Sequence, residues 1–455
     1  MKITPELDKG FAPLSLLCRQ MRRQTEENGQ DIVIAVRRNK GCTATYKTRV
    51  FPDGAGHDEE NFRFVERMTK ALLWVAGGYQ IIIAGSELLG SKIKAAYTYG
   101  GLRDFDVRFM ERVYEETFEV LTCSLEDAPV DVSSAAPIGR HLDGCRIGFD
   151  AGGSDRKVSA VMDGKSVYSE EVVWFPKTNS DPDYHYQGIL SAMKTAASHM
   201  PRVDAIGVSS AGVYVDNRIM VASLFLKVSD DDFSKKVRNM YLDVAKEIGE
   251  NIPIEVANDG DVTALAGAMD LDDTGVLGIA MGTSEAGGYV DTDGNITGWL
   301  NELAFVPVDG NPDAMADEWS GDRGCGVKYF SQDGVIKLAP FAGIELDETL
   351  SPAEKLKVVQ NLMSQGDNRA KAIFETIGIY FGYAIAFYAE FYHIKHVLIM
   401  GRVTSGEGGS ILLENAQKVL DSEFPQLAKQ ITLHIPDENS RRVGQSVAAA
   451  SLPKL

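Results

Sequence analysis

An apolar strand that ends in an aspartate, a turn of two glycines and a serine, and a lysine opening the next strand together form a hairpin suited to phosphate. Residues 147–161 read IGFDAGGSDRKVSAV. Two adjacent glycines permit backbone angles that side-chained residues resist, so the N–H groups of Gly152, Gly153 and Ser154 can converge on a phosphoryl oxygen with no Cβ in the way. Asp150, at the end of the first strand, faces the same space, where a carboxylate can hold Mg²⁺ directly or through water. An ordinary Asp-Gly hairpin turn has the same composition, so the rest of the chain must decide.

A second glycine-rich turn lies at 276–290, VLGIAMGTSEAGGYV, with Gly282, Thr283 and Ser284 at its tip. Between the two hairpins, IPIEVANDGDVTALAGAM at 252–269 reads as a short strand, the tetrapeptide Asn258-Asp259-Gly260-Asp261 and an alanine-rich helix. A carboxylate at a strand-to-helix junction between two phosphate loops is placed to act as a general base; equally, Asp259 or Asp261 could simply cap the helix. A later segment, HVLIMGRVTSGEGGSILL at 396–413, combines a strand, Gly401 and a glycine-rich loop before a helix, a loop able to cover an adenosine.

Taken in order, D-x-G-G-S-x-x-K, N-D before a helix, G-T in a glycine hairpin and a late strand-glycine loop resemble the sugar kinases of the ROK family (repressor, open reading frame, kinase), within the actin-like ATPase superfamily. The resemblance covers roughly residues 145–453. It implies an α/β, two-lobed actin-like ATPase fold with ribonuclease H-like lobes, ATP in the interlobe cleft and a sugar opposite it. It implies a glucokinase-like, Mg²⁺-dependent transfer of the γ-phosphoryl group to a hydroxyl of a hexose or hexose derivative, with Asp259 accepting the hydroxyl proton. Asp150, as the magnesium residue, would meet the phosphates together with Gly152, Gly153, Ser154, Lys157, Gly282, Thr283, Ser284 and Gly401. Asn258 and Glu302 would bind sugar hydroxyls. Ser210, in the small-residue stretch Ser209–Gly212, occupies the place of a family loop that touches the sugar, although a plain turn reads the same.

The chain also departs from the family pattern. Where the family has Gly-Glu-x-Gly-His, residues 301–305 read NELAF, keeping Glu302 but placing Phe305 at the histidine position. The cysteine-rich zinc motif expected next is reduced to Cys325, and no histidine lies between His199 and His393. One thiol cannot build a four-coordinate site, so no zinc is expected. Glu285 places a negative charge beside the second phosphate turn, and its side chain must point away for nucleotide to bind. Phe305 and Glu285 motivate the alternative of a non-catalytic sugar-sensing or regulatory protein on the same fold.

These motifs need elements to hold them. With 455 residues and 44% hydrophobic content, the chain can bury large cores. A formal net charge of −19 disfavours nucleic-acid partners and anionic membranes, and a DNA-binding repressor with it. Five scattered cysteines with no C-x-x-C pair suit free thiols in a cytoplasmic protein. No run of 18 apolar residues offers a membrane span; IGIYFGYAIAFYAEFYHI at 377–394, broken by Glu390, reads as a buried helix.

The expected organisation is an N-terminal α/β domain over 1–140, a kinase small lobe over 141–258 with the C-terminal helix 439–455, and a large lobe over 259–438. In the first, residues 31–51 suggest two strands about Lys40-Gly41, residues 60–78 a helix stopped by glycines, and residues 79–85 a buried strand. Gly85 to Lys92 looks like a phosphate loop, but Ser91 precedes Lys92, reversing the order such a loop requires. An ordinary turn is the default. A role in oligomerisation or in covering the cleft is the economical reading of this domain.

Overall fold

The computed structural model describes residues 1–133, 138–436 and 438–455. They cluster into two compact units: unit 1 is Met1–Ser134, Ile279–Gly287 and Trp299–Ile435, and unit 2 is Ala135–Gly278, Gly288–Gly298 and Pro436–Leu455. The first 134 residues therefore share a unit with the stretch from 299 to 435.

Unit 1 begins with helix α1 (Leu14–Thr25) and a sheet of β1 (Gln30–Arg37), β2 (Thr43–Val50), β3 (Gln80–Ala84) and β4 (Glu119–Cys123), ordered β2-β1-β3-β4. The β1–β2 turn places Lys40 at φ 57° and Gly41 at φ 72°, the left-handed turn that the Lys-Gly pair predicts. Helix α2 (Asp58–Ala76) starts with Asp58, Glu59 and Glu60, whose charge suits a helix N-terminus, and stops at Gly77 with φ 76°. Ser86 caps α3 (Glu87–Ala96) by accepting the Leu89 N–H at 3.1 Å, and Lys92 pairs with Glu59 at 3.2 Å. The Gly85–Lys92 segment is thus an ordinary strand-to-helix turn.

Helix α4 (Asp104–Tyr114) completes this region and supplies part of a buried ionic cluster. Arg103 lies 2.8 Å from Asp322; Arg67 contacts Glu66 at 2.7 Å and Asp322 at 3.0 Å. Lys70, fully buried, contacts Asp106 at 3.1 Å and Asp322 at 3.4 Å, and the Trp74 indole N–H donates to Asp106 at 2.9 Å. Three cations and three carboxylates balance in the interior, where an unpaired charge would be costly.

Unit 2 is built on β5 (Cys145–Ala151), β6 (Asp155–Met162), β7 (Lys165–Val173), β8 (Ala205–Ser210) and β11 (Ile254–Asn258), in the order β11-β8-β5-β6-β7; β9 (Val213–Val215) and β10 (Arg218–Val221) form a separate ribbon. The β5–β6–β7 meander is antiparallel, whereas β5, β8 and β11 run parallel and end together. Helix α5 (Pro182–Ser198), the one-turn α6 (Asp230–Asp232) and α7 (Met240–Ile248) follow, and α5 and α7 pack with Phe149, Val158 and Val208 in one core. Ser229 caps α6, its hydroxyl accepting the Asp232 N–H at 3.2 Å.

Helix α8 (Asp259–Leu271) continues directly from β11. The chain then passes from one unit to the other in β12 (Val276–Met281) and returns in β13 (Glu285–Val290). These strands join β14 (His396–Met400) and β15 (Thr432–His434) in the order β13-β12-β14-β15.

Unit 1 also holds α9 (Gln332–Leu338), α10 (Pro352–Ser364), α11 (Asn368–Tyr388), α12 (Glu407–Glu423) and α13 (Pro425–Ala428). Among the described residues α11 is the one helix long and apolar enough to cross a membrane by length and composition. It is a core helix, because Gly378 and Gly382 let α12 approach so closely that a Cβ would meet the Leu412 and Ala416 carbonyls at 2.5 and 2.7 Å. The final helix, α14 (Glu438–Ala450), returns to unit 2. There Gly207 and Gly148 admit it to the sheet: a Cβ would stand 1.6 and 1.9 Å from the Ala449 and Ser446 carbonyls. All five cysteines are free thiols.

Candidate active site

In unit 2 the parallel strands bring the sequence-predicted carboxylates to one end of the sheet. Asp150 on β5 pairs in register with Ser209 on β8, and Asn258 on β11 pairs with Ser210. Asp150 and Asp259 therefore flank the end of β8 from opposite sides, a separation of roughly 10 Å for two strand spacings. Asp150 is 6% exposed and accepts the Ser209 hydroxyl at 2.8 Å. Burial pushes its carboxyl up to about 6; the Ser209 bond and Lys157 oppose that rise, and the charge of Asp259 adds to it. A buried carboxylate with one oxygen already satisfied fits Mg²⁺, which takes one or two carboxylates and completes its shell with water and phosphate oxygens.

The glycines of the β5–β6 turn serve a purpose other than the one their composition suggests. Neither Gly152 nor Gly153 adopts a left-handed φ. Close approach requires Gly152, where a Cβ would stand 2.7 Å from the Asp155 carbonyl; at Gly153 a Cβ would meet only the end of the exposed Lys177 side chain, 2.9 Å from Cε, which can move aside. The Trp174 indole N–H donates to the Gly152 carbonyl at 2.7 Å and its backbone N–H to the Ser154 carbonyl at 3.1 Å, which fixes the turn. Gly153 and Ser154 remain exposed at the tip. Lys157 is held by Asp155 at 3.3 Å and reaches Asp150 at 4.0 Å.

Of the residues in Asn258-Asp259-Gly260-Asp261, the helix cap is the asparagine. Its Oδ1 accepts the Gly260 N–H at 2.7 Å, while its amide donates to the Gly212 carbonyl at 2.7 Å. Asp261 is buried and accepts the Tyr289 N–H at 3.0 Å, tying α8 to β13 where Gly288 leaves no room for a Cβ against Gly260. With both capping alternatives removed, Asp259 is the carboxylate that neither caps the helix nor ties it to the sheet. Burial, the largest influence, raises its pKa, and the Gly260 N–H and Lys177 oppose that rise; a raised pKa makes a carboxylate a better proton acceptor. Ser210 is fully buried, its hydroxyl accepting from Tyr241 at 2.9 Å, so it serves the packing of β8.

In unit 1 the turn between β12 and β13 exposes Thr283 and Ser284, while the Gly282 carbonyl accepts the Gln332 N–H at 2.9 Å. A Cβ on Gly282 would meet nothing nearer than the Ser284 carbonyl at 3.8 Å. The fold itself does not demand this glycine. Gly401 is demanded, by φ 100° and by the Met281 carbonyl 2.3 Å from any Cβ.

Glu285 does turn away from this tip. It is 3% exposed, accepts the Tyr388 hydroxyl at 3.3 Å on one oxygen, and packs the other, which has no hydrogen-bond partner among the described residues, against Gly326. Burial pushes its carboxyl up to about 8, the Tyr388 bond opposes this and Glu302 adds to it. The native state thus holds a proton that the unfolded chain releases, so stability falls as pH rises from about 4.5 to about 8. Glu285→Gln removes that dependence. In thermal melts the variant should gain on the parent by about 1 kcal/mol per pH unit across the window. A constant difference from pH 5 to 8 contradicts this assignment.

Glu302 is positioned by α2. The N–H groups of Leu300, Asn301 and Glu302 donate to the Ala76, Val75 and Trp74 carbonyls at 3.3, 3.0 and 3.1 Å, satisfying carbonyls that a helix C-terminus leaves open. Asn301 takes φ 52° to allow it. Phe305, where the resemblance places a histidine, packs at a tilt against Trp74 with centroids 4.4 Å apart. Sequence reasoning found no signal for Trp174, Lys177 and Tyr388, and showed Ser209 only as part of a small-residue stretch, not as the partner of Asp150. Each acts through a contact with no local signature.

No family model and no curated protein matches the chain. Among solved structures, a ROK hexokinase from Thermus thermophilus is similar at 18% identity and a TM-score of 0.51, over 68% of this chain and 97% of that one. A ROK-family glucokinase from Streptomyces griseus, in complex with glucose and AMPPNP, is similar at 19% identity and a TM-score of 0.49, over 68% and 99%. A ROK-family transcriptional regulator homologous to the E. coli MLC protein gives 17%, 0.49, 68% and 79%. At these identities the likeness concerns the fold alone: the mixed α/β sheets match those of ROK-family structures over about two-thirds of the chain.

Proposed function

We propose that the protein is a cytoplasmic, Mg²⁺- and ATP-dependent kinase of a hexose or hexose derivative. The observation that carries the reading is the pair of carboxylates at one end of the unit 2 sheet, Asp150 beside the glycine hairpin and Asp259 at the start of α8. In this reading Asp150, bonded to Ser209 and beside the glycine hairpin, steers the magnesium, and Asp259, at the start of α8, takes the proton from the attacking hydroxyl. Mg²⁺, when bound, neutralises charge on the phosphates. The N–H groups at Gly153 and Ser154 stabilise the transferring group. In unit 1 the candidates for nucleotide are Gly282, Thr283, Ser284 and Gly401, and Glu302 is the candidate for a sugar hydroxyl.

The other reading, a non-catalytic sugar sensor, draws on Phe305, which is committed to the aromatic contact with Trp74. ATP consumption measured over hexoses, aminosugars and their N-acetyl forms, beside equilibrium sugar binding, separates the two. A kinase consumes ATP with at least one sugar that it binds. A sensor binds and consumes none.

A further inference from the structure

We propose that Lys177 is the cation that receives the terminal phosphoryl group of the nucleotide at the Gly152-Gly153 turn; this rests on the phosphotransfer reading. Its Nζ stands 3.1 Å, and its Cε 2.9 Å, from where a Cβ on Gly153 would be. The end of this exposed side chain therefore lies over the glycine, where a Cβ would push it aside.

The segment carrying the lysine is anchored at several points. Trp174 bonds to the Gly152 and Ser154 carbonyls as described above, and the Phe175 N–H donates to the Tyr184 hydroxyl at 3.0 Å. The ring of buried His185 stands 3.1 Å from the Pro176 carbonyl and 2.9 Å from that of Asp181. A flexible lysine so placed starts from a fixed backbone directly above the hairpin.

Its charge is not consumed by the protein. Lys157, the lysine within the motif, is paired with Asp155 at 3.3 Å, whereas no carboxylate among the described residues lies within ion-pair distance of Lys177. The acidic group its charge reaches is Asp259, whose ionised form it favours. An ammonium held over exposed turn N–H groups and near the base lacks only an anion, and a compact point charge with three donors suits a phosphoryl oxygen. In the transfer step the sugar oxygen forms its bond to the γ-phosphorus as Asp259 takes the hydroxyl proton. The bond to the bridging oxygen breaks and its electron pair leaves with ADP. Lys177 meets the charge on the group in transit.

Isothermal titration calorimetry with MgADP and with Mg-AMPPNP on the parent, Lys177→Met and Lys177→Arg tests this. Lys177→Met should weaken AMPPNP binding about 10- to 100-fold, the loss of one charge-assisted contact, and leave ADP binding within about twofold; Lys177→Arg should recover most of the difference. Gly153→Ala should reproduce the selective loss by displacing the stem. Equal affinities in parent and Lys177→Met, or an equal loss for both nucleotides, overturn the role of Lys177 and leave the kinase reading standing. A parent that binds neither nucleotide overturns both.

Discussion

Asp259→Asn should reduce phosphoryl transfer by about 10²- to 10⁴-fold, the usual loss when a positioned general base is removed, with folding and nucleotide affinity close to the parent's. The amide keeps the size of the carboxylate and can still accept the Gly260 N–H, which Asp259 Oδ1 accepts at 3.1 Å. What it cannot do is take a proton. Asp150→Asn should raise the Mg²⁺ concentration needed for half-maximal rate as well as lowering the rate, because it weakens a metal ligand. Asp261→Asn should act on stability, since this side chain accepts the Tyr289 N–H, and should do least to turnover. Initial rates of ADP formation at several Mg²⁺ concentrations separate the three. Normal turnover in Asp259→Asn with a dead Asp261→Asn would move the base two residues along.

The largest effect on stability is expected at the buried ionic cluster of unit 1. Lys70→Met removes the cation 3.1 Å from Asp106 and 3.4 Å from Asp322. Asp106, 1% exposed, is then left with the Trp74 N–H as its partner there. Breaking a buried pair from one side costs about 3–5 kcal/mol, because the remaining charge stays desolvated. Urea unfolding should show a loss of that size, and a change below about 1 kcal/mol would mean that water or rearrangement replaces the lysine.

Hairpins, strand ends and the strand-to-helix junction were legible because their signals are local. Apolar alternation marks β5 and β6, Lys40-Gly41 marks a turn, and Gly77 marks a helix stop within a few residues of each element. Asn258-Asp259-Gly260-Asp261 was legible as a junction but not in its roles, since three of its four residues can cap a helix and only the distance to the Gly260 N–H selects Asn258. The glycines of the first hairpin mislead for a related reason. Their type reports freedom of φ, whereas the need for Gly152 comes from the Asp155 carbonyl and Gly153 lies under the end of Lys177. The ionic cluster joins residue 67 to residue 322, and Glu285 finds its place against Gly326 and Tyr388. Contacts so distant in sequence leave no periodicity to read.

If the two carboxylates of unit 2 serve transfer of phosphate from ATP to a sugar hydroxyl, ³¹P nuclear magnetic resonance of the protein with MgATP and the sugar it binds best follows that transfer directly. The γ-phosphate resonance should be replaced by a phosphate monoester on the sugar, in step with the appearance of ADP, and Asp259→Asn should leave the ATP signals intact. Bound sugar with unchanged ATP in the parent, or ADP and inorganic phosphate with no ester, would contradict that role.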